Sequence, residues 1–178
     1  MPTLTELQRM TARFAPADIG ADISALPENE KQALARLVQA GRIMDSIFLR
    51  QVWGGNDAML QELARMAASP AAGRGGAAGP RASRAAAARL HYFLINKGPW
   101  DRLDHNRPFV PGAPPKPDSA NFYPEGATKE DVQHWLETLK GDEKQEATGF
   151  FTTIRRAEGG FVAVPYSIEY QGELAEAA

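Results

Sequence analysis

Cysteine is absent from this 178-residue chain. Its absence excludes disulfides, thiolate nucleophiles and sulfur-ligated zinc or iron–sulfur sites. Histidine is scarce: His91, His105 and His134 are the only three. None belongs to a His-Glu-x-x-His pair, the spacing that sets two imidazoles and a glutamate on one helix face. No apolar run approaches the roughly 20 residues needed to cross a bilayer. The opening Met1-Pro2-Thr3-Leu4-Thr5-Glu6 lacks the basic segment and apolar run of a secretory signal. Nor is there a surplus of one charge. Twenty basic residues stand against twenty-two acidic ones, for a net charge of −2, so no basic patch suggests nucleic acid as a partner. The expectation is a cytoplasmic protein that binds neither nucleic acid nor membrane.

What is present is a helical pattern. Leu4, Leu7, Met10 and Phe14 recur at helical spacing, with Thr3 or Thr5 available as N-cap. Ser24, ahead of Pro27 and the acidic Glu28 and Glu30, reads as the cap of a second helix. Its stripe of Leu34, Leu37, Val38, Ile43, Met44, Ile47, Phe48 and Val52 predicts a long core helix. Gly54-Gly55 interrupts it, and Asn56 is placed to cap a helix carrying Met59, Leu60, Leu63 and Met66. Residues 69–80 hold no apolar side chain larger than alanine, proline apart, and are expected to form a flexible Ala/Gly/Pro-rich surface loop or insertion. An alanine-rich helix should follow and stop at Asn96-Lys97-Gly98-Pro99, with Gly98 in the left-handed cap.

Residues 99–124 are rich in proline but interleaved with Trp100, Leu103, Phe109, Val110, Phe122 and Tyr123. A linker would rarely carry so many large apolar groups, so an ordered loop is expected. Thr128 and Asp131 form a capping-box pattern for a helix buried through Val132, Trp135, Leu136 and Leu139, with Gly141 as its end. Residues 150–164 read as a β-hairpin around Ala157-Glu158-Gly159-Gly160. Ser167 is placed to cap a last helix. That helix reaches Glu176-Ala177-Ala178 without a stop, a pattern that fits a continuing reading frame and a frayed terminus equally. The fold class is therefore mainly α with a small β-hairpin, and residues 1–178 read as a single domain or part of one.

Catalytic chemistry is sparse. No serine sits in a nucleophile-elbow pattern, and Gly73-Arg74-Gly75-Gly76 lacks the Lys-Ser/Thr of a phosphate loop. His91, beside Tyr92, reads as a partly buried core residue, and His134 as solvated. Carboxylates and imidazole meet once, at Asp101-Arg102-Leu103-Asp104-His105. Those side chains have ligand chemistry, but their spacing matches no metal site. An Asp–Arg pair and an Asp–His hydrogen bond inside a folded loop account for the same residues. Trp100, with Asn96, Asp101 and Asp104 close by, is open to two readings: the wall of a groove for a peptide or polar ligand, or an aromatic anchor tying down the loop.

Three phrases go further than composition can. Phe93-Leu94-Ile95-Asn96-Lys97-Gly98-Pro99-Trp100, Asn121-Phe122-Tyr123-Pro124 and Val164-Pro165-Tyr166-Ser167-Ile168-Glu169-Tyr170 resemble the amino-terminal part of the dipeptidyl peptidase III family of zinc metallopeptidases. The likeness is to its bacterial and plant-type, Nudix-hydrolase-associated branch, and it runs through residues 35–53, 90–104, 120–135 and 148–174. The resemblance implies a larger two-lobed enzyme that removes dipeptides from peptide N-termini across a wide cleft. Its zinc would be held by a His-Glu-x-x-(x)-Gly-His helix and a later glutamate.

None of that zinc apparatus occurs in this sequence, so no catalytic or metal residue carries over and the chain itself needs no cofactor. The resemblance implies a helical portion of the amino-terminal lobe, a scaffold and cleft wall that is not catalytic alone. Its partners would be the zinc-bearing remainder of the enzyme and, through it, peptide substrate. Asn96, Trp100, Asp101, Asp104, His105, Asn121 and Tyr123 are the candidates for lining the cleft or anchoring its loops. The competing expectation is a stand-alone helical peptide-binding or regulatory module without enzymatic activity. A weaker third is an independent hydrolase built on Asp101, Asp104 and His105.

Overall fold

The structure, a computed structural model, describes residues 1–68 and 80–178. The loop expected at 69–80 lies outside the described residues but for Pro80. The elements in chain order are α1 (Leu4–Thr11), α2 (Glu28–Val52), α3 (Asn56–Ala68), α4 (Pro80–Asn96), β1 (Trp100–Asp101), β2 (Arg107–Pro108), α5 (Lys129–Thr138), α6 (Gly141–Ala147), β3 (Thr152–Ala157), β4 (Gly160–Pro165), α7 (Tyr166–Glu169) and α8 (Gln171–Ala177). The fold is mainly α with a small hairpin, and it divides into two compact units. One comprises Met1–Ser24 and Val52–Lys116, the other Ala25–Gln51 and Pro117–Ala178.

The first unit is built on α4, against which α1 and α3 pack. Alanines such as the buried Ala86 keep the α4 surface low enough for close helix approach. α1 starts where its sequence says it should: Thr3 accepts from the Glu6 N–H and Glu6 reaches back to the Thr3 N–H at 2.7 Å. The core is Leu7, Leu63, Tyr92 and Phe93, closed from the far side by Trp100, Phe109 and Val110. Its rings meet edge to face, Tyr92 with Phe109 at 4.8 Å and Trp53 with Trp100 at 5.4 Å, the arrangement their quadrupoles favour.

α4 ends differently from expectation. Lys97, not Gly98, takes the left-handed conformation (φ 55°). The Gly98 N–H then turns back to the Phe93 carbonyl at 3.2 Å, a Schellman-type closure. Glycine is needed at 98 for another reason: a Cβ there would lie 3.1 Å from the Trp100 ring. Asn56 is likewise no simple cap. It is the buried first residue of α3, and its amide donates to the Lys97 carbonyl at 3.2 Å.

In the second unit β3 and β4 pair antiparallel from Thr152↔Pro165 to Ala157↔Gly160, leaving Glu158-Gly159 as the turn. Gly159 has φ 88°, a turn conformation that glycine takes without a Cβ penalty. The strand begins later than its apolar run suggests, and Phe150 and Phe151 stay exposed. α5 keeps its Thr128–Asp131 capping box but stops at Thr138. Gly141 does not end that helix; with φ 52° it opens α6, whose first turn carries Asp142 and Glu143, matching the positive end of the dipole. Ser167 lies inside α7 and caps nothing.

The largest departure concerns α2. Ser24 donates its N–H to Asp22 at 2.9 Å, and the first helical bond runs from Lys31 to the Pro27 carbonyl, so the helix starts after Pro27. Of its apolar stripe only Ile47 is buried, with Leu49 beside it; Leu34, Leu37, Val38, Met44 and Phe48 are all 39–69% exposed. The expected core helix is buried only near its carboxyl end. There Asn121 receives it, donating its amide to the Arg50 carbonyl and its backbone N–H to Gln51, both at 2.9 Å.

Candidate functional site

A concavity of about 550 Å3 opens in the first unit between α1 and the β1–β2 corner. Its polar lining includes Glu6, Arg9, Arg13, Asp101, Asp104 and Arg107, and its apolar lining Met10, Leu103 and Phe109. The corner forms because Asn106 and Asp104 both donate their N–H groups to the Asp101 carbonyl, at 2.9 and 3.1 Å. His105 and Asn106 must then adopt left-handed backbone (φ 51° and 55°). Asparagine and histidine both tolerate this state better than most residues, and the antiparallel pairing of β1 with β2 holds the turn.

At the floor lies Asp101, 3% exposed. Arg13, at the end of α1, forms an ion pair with it and donates to the Tyr92 hydroxyl at 2.6 Å. Leu103 N–H adds a 2.9 Å bond to the same carboxylate. Burial alone pushes the Asp101 carboxyl up, but the hydrogen bonds from Arg13, Tyr92 and Leu103 outweigh it and hold the group below its ordinary value. The same contact raises Arg13, and burial raises Tyr92. Asp101 is thus held in its carboxylate form by partners on both oxygens.

The remaining candidates of this corner have structural partners too. Asn96 is buried; its amide donates to the Tyr92 carbonyl at 2.9 Å and its oxygen accepts from Arg102 N–H at 3.1 Å. Trp100 is 2% exposed and donates its indole N–H to the Pro114 carbonyl at 2.8 Å. Asp104 pairs with Arg107 at 3.3 Å. His105 is exposed on the turn, and the carboxylates take arginine partners in place of the Asp–His bond expected there. His91 also faces solvent, with its neighbours Tyr92 and Phe93 filling the core.

Asn121 and Tyr123 belong to the other unit. Asn121 is a bracket: besides holding α2, its carbonyl accepts from Arg155 at 3.1 Å, and Arg155 bonds Glu169 at 3.1 Å through Nε. Tyr123 is 37% exposed.

Sequence reasoning missed Arg13, which lies 88 positions from Asp101. A buried carboxylate signals that some cation must face it, but no local spacing distinguishes Arg13 from Arg9. The zinc that the family resemblance implies finds no fitting ligands in this corner, because Asp101 is sealed beneath Arg13 and Asp104 is engaged by Arg107. Among the described residues no group of three or more His, Asp or Glu side chains could hold a metal ion. No helix of the described residues is long and apolar enough to cross a membrane.

No protein-family profile matches the chain. Over 177 aligned residues it is 33% identical to Nudix hydrolase 3 of Arabidopsis thaliana, covering 84% of this chain and 21% of that protein. The solved structure of dipeptidyl-peptidase III from Corallococcus sp. strain EGB is 49% identical and superposes with a TM-score of 0.86, over 99% of this chain and 30% of that one. The dipeptidyl-peptidase III structure from Caldithrix abyssi is 40% identical with a TM-score of 0.78, over 96% of this chain and 29% of that one. The chain therefore spans less than a third of the proteins it matches, and over that span it is dipeptidyl-peptidase III-like.

Proposed function

We propose that residues 1–178 serve as the scaffold and one cleft wall of a dipeptidyl-peptidase III-like zinc peptidase, acting on peptides only together with the zinc-bearing remainder. The observation that carries this reading is likeness at 49% identity and TM-score 0.86 along 99% of the chain, against 30% of the longer enzyme. The finer placement we propose is the bacterial and plant-type, Nudix-hydrolase-associated branch; the similar Arabidopsis protein bears the name Nudix hydrolase 3. In this reading Asn96, Trp100 and Asp101 anchor the loop through buried hydrogen bonds, and the peptide meets the rim. Arg9, Arg13 and Arg107 line the concavity beside Leu103 and Phe109, offering donors to carbonyl and carboxylate oxygens and apolar surface to side chains.

The test is turnover of a chromogenic dipeptide amide. The chain alone, with or without added zinc, should release nothing. Co-expressed with the portion of the Corallococcus enzyme that it does not match, it should support zinc-dependent release of dipeptide. Zinc-dependent turnover by the chain alone refutes the reading. A second reading, a peptide-binding module acting by itself, draws on the same concavity. It predicts saturable peptide binding by the isolated chain that Arg107→Ala weakens.

A further inference from the structure

Among the described residues, the apolar stripe of α2 has little cover. At about 100° per residue, Leu34, Leu37, Val38, Gly41, Met44 and Phe48 fall within about 120° of the helix circumference. Leu37 is 69% exposed, Val38 50% and Phe48 43%. Single exposed apolar residues are ordinary, but a contiguous row along several turns of one helix marks a contact surface. Among the described residues, no helix or strand of its own unit packs extensively on this helix. Gly41 sits in the middle of the row, and a Cβ built there meets nothing within 4 Å. Glycine inside a helix costs stability relative to alanine, and nothing in the described chain approaches closely enough to require it.

We infer that this stripe is the docking surface for the polypeptide that makes up the rest of a dipeptidyl-peptidase III-like chain, with a partner helix or strand crossing at the Gly41 notch. The occupant follows from coverage: 99% of this chain matches only 30% of the Corallococcus enzyme, leaving more than two thirds of that fold to cover faces exposed here. Its chemistry follows from the stripe, which is apolar with a gap at Gly41 where a backbone or small side chain fits. The inference rests on the peptidase-portion reading but can fail separately from it.

The chain is co-expressed with the unmatched portion of the Corallococcus enzyme and the purified complex is titrated. Wild type should yield a one-to-one complex. Leu37→Glu and Phe48→Glu, at exposed positions, should leave the thermal midpoint of the chain unchanged and weaken the complex about tenfold or more, the usual size for a buried apolar anchor. Gly41→Ala should raise the thermal midpoint of the chain alone yet weaken the complex, two opposite signs that a role confined to this chain does not produce. If wild type and Leu37→Glu bind the remainder equally, the stripe is not the surface, and the peptidase-portion reading survives. If wild type forms no complex, both fall. If wild type instead forms a homodimer that Leu37→Glu dissolves, a second copy is the occupant and the inference is overturned.

Discussion

Arg13→Ala isolates the contact on which the β1–β2 corner depends. Asp101 is 3% exposed, and the Arg13 side chain is 36% exposed. Breaking a fully buried ion pair from one side costs about 3–5 kcal/mol, whereas an exposed pair contributes about 0.2–1 kcal/mol. With one partner sealed and the other a third open to water, a loss of about 2 kcal/mol is expected. For a chain of this size that lowers Tm by about 4–8 °C. Trp53 and Trp100 lie in the same unit as this pair, and Trp135 in the other, so fluorescence melts in a Trp135→Phe background report on the right unit. Asp101→Asn removes the charge together with the pair. The double variant Arg13→Ala/Asp101→Asn should therefore be less damaged than the two single effects summed, by about 1 kcal/mol. The acid dependence has a definite sign. The folded Asp101 carboxyl lies below its ordinary value. Its stabilisation is therefore complete above the unfolded carboxylate pKa of about 3.9 and fades as pH falls through the lower folded one. The Arg13→Ala penalty should be full at pH 7 and shrink toward about pH 2. A Tm change below about 1 °C at pH 7, or a penalty of equal size at both pH values, refutes the assignment of Arg13–Asp101 as the brace of this corner.

Gly55→Ala should disturb the neighbouring aromatic pair, because a Cβ there would lie 2.3 Å from the Trp53 ring. Trp53 must then leave its 5.4 Å edge contact with Trp100, costing about 0.5–1.5 kcal/mol. Near-ultraviolet circular dichroism should lose tryptophan intensity, and an unchanged spectrum counts against that packing. Arg155→Ala unties β3 from Glu169 and from the Asn121 carbonyl at once. A loss of about 1.5–3 kcal/mol, typical of hydrogen bonds to charged groups, should appear in the Trp135 signal; a change confined to Trp53 and Trp100 would contradict the bracket.

Short-range order was open to inspection before any coordinates. The capping boxes at Thr3–Glu6 and Thr128–Asp131, the β3–β4 hairpin and the halt of α4 before Pro99 all depend on residues within a few positions of one another. So does the missing zinc motif. Local chemistry of that kind is written consecutively along the chain. Even so, neighbours shifted the details. The left-handed position falls on Lys97, and Gly98 instead leaves room for the Trp100 ring; Gly141 opens a helix where it was expected to close one. The pairing of Arg13 with Asp101, the bracket of Asn121 on α2 and the division of the seven candidate residues between two units belong to the folded chain alone. Each joins positions far apart in sequence, and no periodicity encodes which distant partner a side chain will meet. The α2 stripe makes the same point most sharply: its spacing foretold an amphipathic helix, but whether that apolar face is buried or bare depends on which surfaces lie within reach to cover it.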